Sequence, residues 1–181
     1  MTASMETLGT MRGKLTTVSS TDDRVELIAK NIQIGRVSED IHIFAAQALT
    51  DRCAGRWCVE PRNWLGEVTQ IANRITANVR YTLDTFGIDT YRTPQRTLQL
   101  AMGDCNDMAA LGGAVLQAVG YPIMIKVIRM EGQPDFHHIY LVVGLPPHDP
   151  EQWIAFDTTQ AENPVGYEAA GIEDSRLYEV Y

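Results

Sequence analysis

The chain has 181 residues, of which 45% are hydrophobic and 21% charged, a balance that supports one globular domain with a sizeable core and excludes a disordered chain. A formal net charge of −8 and a pI near 4.9, with no run of Lys and Arg among aromatics, exclude a surface that tracks phosphates, so no nucleic-acid partner is expected. No apolar run reaches the length of a membrane span and residues 1–20 lack the basic start and apolar core of a signal peptide; with three cysteines, an odd and low count for a disulfide scaffold, the expectation is a cytoplasmic protein in a reducing compartment.

Taken in order, residues 1–22 are rich in Ser, Thr, Gly and Met and read as a loosely ordered arm with a short strand at Leu15 to Val18; residues 23–181 then form a single domain. Val25, Ile28, Ala29 and Ile32 mark a first helix from Asp23, which Gly35 ends. Ile41, Phe44, Ala45, Ala48 and Leu49 line one face of a second, after Ser38. Asn63 caps a third, with a stripe of Leu65, Val68, Ile71, Ala72, Ile75 and Val79. Tyr81 to Gln99 holds Gly87 and Pro94 and no sustained period, and reads as an irregular loop approaching a site. Met108, Leu111, Val115, Leu116 and Val119 define a further helix, stopped by Gly120 and Pro122. Beyond it the period changes to two, giving strands at Ile123 to Met130, His138 to Val143 and Trp153 to Asp157. Helices followed by antiparallel strands make an α+β pattern.

The segment Gly103-Asp104-Cys105-Asn106-Asp107 carries the most chemistry. Asp104 is a good N-cap, which makes Cys105 the first residue of the helix, where free N–H groups and the positive end of the helix dipole favour thiolate over thiol. Asp104 and Asp107 oppose this with negative charge, so the thiol needs a basic partner. The strands offer one. If Val143 faces Gln152 across the hairpin, His138 lies directly opposite Asp157 on the same face, within hydrogen-bonding reach. The carboxylate would then fix the imidazole tautomer and stabilise its protonated form while the other ring nitrogen meets Cys105. His137 competes with His138, but side chains alternate along a strand and only one of the two can face the cysteine.

Gly103-Asp104-Cys105-Asn106-Asp107-Met108-Ala109-Ala110-Leu111, then Val119-Gly120-Tyr121-Pro122, His138-Ile139-Tyr140-Leu141-Val142 and Trp153-Ile154-Ala155-Phe156-Asp157-Thr158-Thr159, resemble the transglutaminase-like cysteine superfamily. The resemblance covers about residues 64–159, and Asn78-Val79-Arg80-Tyr81 fits the lead-in. It implies a papain-like α+β core, with N-terminal helices and a nucleophile helix packed on an antiparallel sheet. It also implies Cys105 as nucleophile, His138 as general base and acid, Asp157 as its orienter, and no cofactor. The implied activity is acyl transfer from amides, with a protein or peptide as substrate. Hydrolysis of a peptide or amide bond is the first expectation and glutamine crosslinking the alternative. A third reading is an inert binding or assembly module, virion-associated if phage-encoded. For the oxyanion, the Cys105 backbone N–H is the natural first donor, with Gln99 or Gln95 as candidates for the second.

Blander readings stand beside these. Cys53 and Cys58 have a C-x4-C spacing that suits metal, but without a second pair, packing at a helix end is the stronger expectation. A zinc site from Cys105, His137, His138 and Asp157 is disfavoured because adjacent histidines diverge. Gly112 and Gly113, costing about 1 kcal/mol each in a helix, suggest close packing on the sheet. Arg80, Arg92 and Arg96 form either a solvated face or a contact for an acidic substrate.

Overall fold

A computed structural model describes residues 18, 20–84 and 89–180. The strand expected at 15–18 and most of the arm lie outside the described residues.

Helix α1, Thr21–Arg36, opens on a capping box: Ser20 Oγ accepts from the Asp23 N–H (3.1 Å) and Asp23 Oδ2 from the Ser20 N–H (3.0 Å). It buries Val25, Ile28 and Ile32 and runs through Gly35 rather than ending there. The reason is packing: a Cβ on Gly35 would lie 2.5 Å from Pro94 Cγ and 2.7 Å from Ala114 Cβ, so this glycine lets two other helices approach. Helix α2, Glu39–Thr50, buries Ile41, Ala45 and Ala48.

A hairpin follows, β1 (Arg52–Cys53) and β2 (Arg56–Trp57), turned by Ala54 and Gly55 at positive φ. A disulfide joins Cys53 to Cys58, correcting the expectation of free, packed thiols. The cysteine count therefore no longer argues for a reducing compartment. Helix α3, Trp64–Asn78, is capped by Asn63 Oδ1 on the Gly66 N–H (3.1 Å) and buries Val68, Ile71, Ala72 and Ile75, while Leu65 is half exposed.

The approach segment is less irregular than its composition suggests. It opens on the end of β3 (Arg80–Tyr81) and contains most of helix α4 (Pro94–Leu100, with Pro94 in its first turn and Thr93 as cap); just beyond it β4 (Met102–Gly103) pairs parallel to β3. Helix α5, Cys105–Ala118, is buried without interruption from Asn106 to Leu116, between the other helices and the sheet. A Cβ on Gly112 would meet Phe156 Cε1 at 2.8 Å, and one on Gly113 would meet Ile32 Cδ1 at 2.6 Å. One glycine thus admits the sheet and the other admits α1.

The sheet holds β5 (Ile123–Met130), β6 (His138–Leu145), β7 (Gln152–Phe156) and β8 (Ile172–Glu179), all antiparallel, in the order β7-β6-β5-β8. Ile139, Leu141, Val143 and Leu145 on β6 join α5 in the main core; Tyr140, Ile128 and Ala155 form a smaller cluster with Met130 and Ile172. The molecule is α+β, helices against one antiparallel sheet. Among the described residues, no helix is long and apolar enough to cross a membrane.

Candidate active site

Two structures meet at the site, the start of α5 and the near end of the β6–β7 hairpin. Asp104 is the N-cap of α5: its Oδ1 accepts the Asp107 N–H (3.0 Å) and its Oδ2 the Asn106 side-chain amide (3.1 Å). Cys105 is the first helical residue, partly exposed, and is the free cysteine of the chain. Gly103 is needed just before it, since a Cβ there would sit 2.7 Å from Asp107 Cβ.

The charge of Asp107, which opposes a thiolate, has a dedicated partner. Its side chain is fully buried; Oδ1 accepts the Arg92 N–H (2.8 Å) and Oδ2 pairs with the Arg92 guanidinium. That guanidinium also reaches Asp84 Oδ1 (3.4 Å), and Asp84 accepts the Thr90 hydroxyl (2.8 Å) and N–H. Arg92 is therefore an internal brace between the approach segment and α5, and not a residue of a solvated face or a substrate contact. Burial, together with the charges of Asp107 and Asp84, pushes the Asp104 carboxyl up to about 6 against the helix N–H it accepts.

On the sheet side, Leu145 faces Gln152 and Leu141 faces Phe156, a register two residues from the one expected. The connection is tighter: the Glu151 N–H bonds to the Leu145 carbonyl (2.9 Å), so β6 extends to Leu145. A shift of two keeps every side chain on its face. His138 is thus diagonal to Asp157 rather than opposite, and His138 Nε2 still lies 2.7 Å from Asp157 Oδ2. Asp157 Oδ1 accepts the Thr159 N–H (3.0 Å) and hydroxyl (2.8 Å). With Nε2 taken, Nδ1 is the ring nitrogen left to face Cys105, whose side chain is near enough to act on the ring's charge. Burial disfavours a charged ring, but the hydrogen bonds to Asp157 and Cys105 and their charges outweigh it, lifting His138 to about 9. Burial would likewise raise Asp157; the bonds and charge of His138, then Thr159, hold it below the usual carboxylate range. His137 is exposed, with Nδ1 3.3 Å from the Asp135 carbonyl oxygen.

Composition and periodicity left Tyr81 without a role. The β3–β4 ladder sets it beside Gly103, two residues before the thiol, with the Thr82 N–H on the Gly103 carbonyl (2.8 Å). Burial first, then the charges of Cys105, Asp104 and Asp157, raise its pKa, so the phenol keeps its proton. The lead-in Asn78 to Tyr81 contained the signal, but its partner strand is only two residues long. Among the described residues, no hydrogen bond links Gln95 or Gln99 to Cys105 or His138: Gln99 is exposed and contacts Arg96 at 3.5 Å, and Gln95 buries an unpartnered Oε1. Nor do three His, Cys, Asp or Glu side chains among these residues converge as a metal requires.

Among the described residues, two hollows bear on the site and its surroundings. One of about 500 Å³, bounded by Asn63, Trp64, Leu145 and Pro146, lies at the far end of β6, roughly 23 Å along the strand from His138. A smaller one of about 350 Å³ touches Tyr81, Thr158 and Thr159 and so adjoins the site.

A candidate cysteine protease from Cytophaga hutchinsonii superposes with a TM-score of 0.51 at 20% identity, covering 82% of this chain and 51% of that one, so the present chain spans about half the length of that protein. A candidate protease from Parabacteroides distasonis gives a TM-score of 0.46 at 18% identity, covering 78% of this chain and 31% of the other. A protein described as a TGase gives 0.44 at 12%, covering 86% and 37%. None of the curated proteins matches in sequence. The model of the transglutaminase-like superfamily matches residues 48–158, which include the α5 start and the β6–β7 hairpin, and the chain belongs to that superfamily.

Proposed function

We propose that this chain is a cysteine-dependent acyl-transfer enzyme that hydrolyses a peptide or amide bond, with Cys105, His138 and Asp157 as its catalytic triad. The observation that carries the reading is the His138–Asp157 pair, Nε2 to Oδ2 at 2.7 Å, set beside the Cys105 thiol at the start of α5. Sγ of Cys105 attacks the amide carbon, and the carbonyl π electrons move to oxygen. The backbone N–H of Cys105 and the protonated hydroxyl of Tyr81 stabilise that oxyanion, in place of Gln95 or Gln99. His138, as imidazolium, gives its proton to the departing nitrogen; the C–N bond breaks, the amine leaves and a thioester remains. Neutral His138 then takes a proton from water, the hydroxide oxygen adds to the thioester carbon, and the thiolate departs with the carboxylic acid released. Asp157 keeps the ring oriented through both halves. The Arg92–Asp107 pair shields the thiolate from a neighbouring carboxylate charge.

p-Nitrophenyl acetate tests this without knowledge of the natural substrate. A burst of about one nitrophenol per chain and acetylation of Cys105, both absent in Cys105→Ala and strongly slowed in His138→Ala, is the expected result. Equal acetylation in His138→Ala would overturn the assignment.

A further inference from the structure

The hollow of about 350 Å³ beside the site is bounded by the end of α3 and β3 on one side and by the segment after β7 on the other, with Thr76, Asn78, Arg80, Tyr81, Thr158 and Thr159 on its walls. Two of these walls are continuous with the chemistry. Tyr81 neighbours Gly103, and Thr159 hydrogen-bonds Asp157. The hollow therefore adjoins residues that flank Cys105 and His138 on both sides.

The chemistry of the walls is selective. Among the side chains that bound the groove, Arg80 alone is ionised. It is exposed, and among the described residues its guanidinium has no ion-pair partner, unlike Arg92. It is an uncommitted cation in a chain of net charge −8. The hydroxyls of Thr76 and Thr159 are already committed as donors, to the Ala72 carbonyl (3.1 Å) and to Asp157 Oδ1 (2.8 Å), and leave oxygen lone pairs as acceptors. α3 ends at this point: Asn78 Nδ2 caps the Arg74 carbonyl (2.7 Å) and the Val79 N–H the Ile75 carbonyl (2.8 Å). The last carbonyls of the helix have no helical donor and can accept from amide N–H groups. Such a groove suits a segment that brings a carboxylate for the guanidinium and backbone N–H groups for the carbonyls.

We infer that this groove is the specificity subsite of the enzyme and takes an acidic side chain, a glutamate or aspartate, next to the scissile amide, with Arg80 as its counter-ion. This rests on the proposed thiol chemistry at Cys105. Arg80 and Tyr81 both bound the hollow, so the subsite adjoins the proposed oxyanion donor.

The test uses iodoacetyl-glutamate, iodoacetyl-glutamine and iodoacetyl-lysine, each as the C-terminal methylamide, alkylating Cys105 in the intact protein. Rates are followed by mass spectrometry and divided by the rate with iodoacetamide on the same variant, which removes changes in the thiol itself. The glutamate probe is expected to react about five- to tenfold faster than the glutamine probe at low ionic strength, with the lysine probe slowest and the order compressed by salt. Arg80→Lys keeps the preference, Arg80→Gln removes it, and Arg80→Glu reverses it in favour of lysine. Identical relative rates for all three probes in the native protein, with rapid iodoacetamide labelling intact, would overturn the subsite and leave the thiol chemistry standing. Iodoacetamide labelling no faster than in the unfolded chain would overturn the thiol chemistry and the subsite with it.

Discussion

The two halves of the site are built by opposite means. Around the thiol, the structure spends buried charge: Asp104 and Asp107 lie under the first turn of α5, braced by Arg92 and Asp84. Around the histidine, it uses a short hydrogen-bonded chain at the open end of a sheet, Thr159 to Asp157 to His138, with side chains of His138 and Asp157 each 23% exposed. Removing a member of the first half leaves a charge stranded in the core, whereas removing a member of the second exposes groups that water can reach. Damage on the thiol side should therefore appear as lost stability, and damage on the histidine side as lost chemistry.

The sharpest break in this comparison comes from His138→Ala. Acyl transfer is expected to fall by about 10³-fold or more, with the chain still folded cooperatively in urea at a lowered midpoint. A comparable loss of folding would erase the contrast. On the other side, Arg92→Met leaves Asp107 buried without its counter-charge and is expected to cost about 3–5 kcal/mol, read by denaturant unfolding. Asp107→Asn in the same background should recover part of this, because the stranded charge is gone.

Tyr81→Phe separates positioning from packing. Loss of one donor to the oxyanion predicts a decrease of about 10²-fold in kcat with KM nearly unchanged, and the exposed ring edge leaves stability alone. Unchanged kcat would remove the tyrosine from the mechanism.

The pH dependence tests the histidine half without mutation. The folded-state pKa of His138, about 9, lies above its ordinary value of 6.5. Its contribution to stability is therefore fully present below about 6.5 and is lost as pH rises through about 9; activity should fall over the same alkaline limb as the imidazolium disappears. Asp157 is shifted the other way, so its share is present at neutral pH and lost as pH falls through its lowered pKa. An acidic limb alone, with full activity above pH 10, would contradict the assignment. The smallest effect sharpens the packing of α5: Gly112→Ala drives a methyl toward Phe156, at 2.8 Å, and should cost about 1–3 kcal/mol.

The uneven legibility of the sequence follows the same physics. The cap at Asp104 and the period of α5 are local features, and the alternation on β6 and β7 is set by burial, so both could be read from neighbouring residues. Even the register error was harmless, because a slip of two preserves the face on which His138 and Asp157 stand. What escaped was non-local or masked by polarity. The β3–β4 pairing that sets Tyr81 beside Gly103 joins two-residue strands across α4. β8 is an edge strand that is exposed at most positions and carries Glu173, Asp174, Arg176 and Glu179, so no apolar alternation marks it. The Cys53–Cys58 bond depends on a turn with Ala54 and Gly55 at positive φ, which the spacing alone did not reveal. Gly35 looked like a helix stop and is instead the contact point of three helices.

The central claim is that His138 holds Cys105 as a reactive ion pair, and the most direct measurement is the rate of Cys105 alkylation by iodoacetamide against pH in the wild type and in His138→Ala. Cys53 and Cys58 are bonded to each other, so the signal belongs to one thiol. Our account predicts rapid alkylation that persists well below pH 7 in the wild type and disappears from that range in His138→Ala. Superimposable profiles, both rising only in the alkaline range of an ordinary thiol, would contradict it.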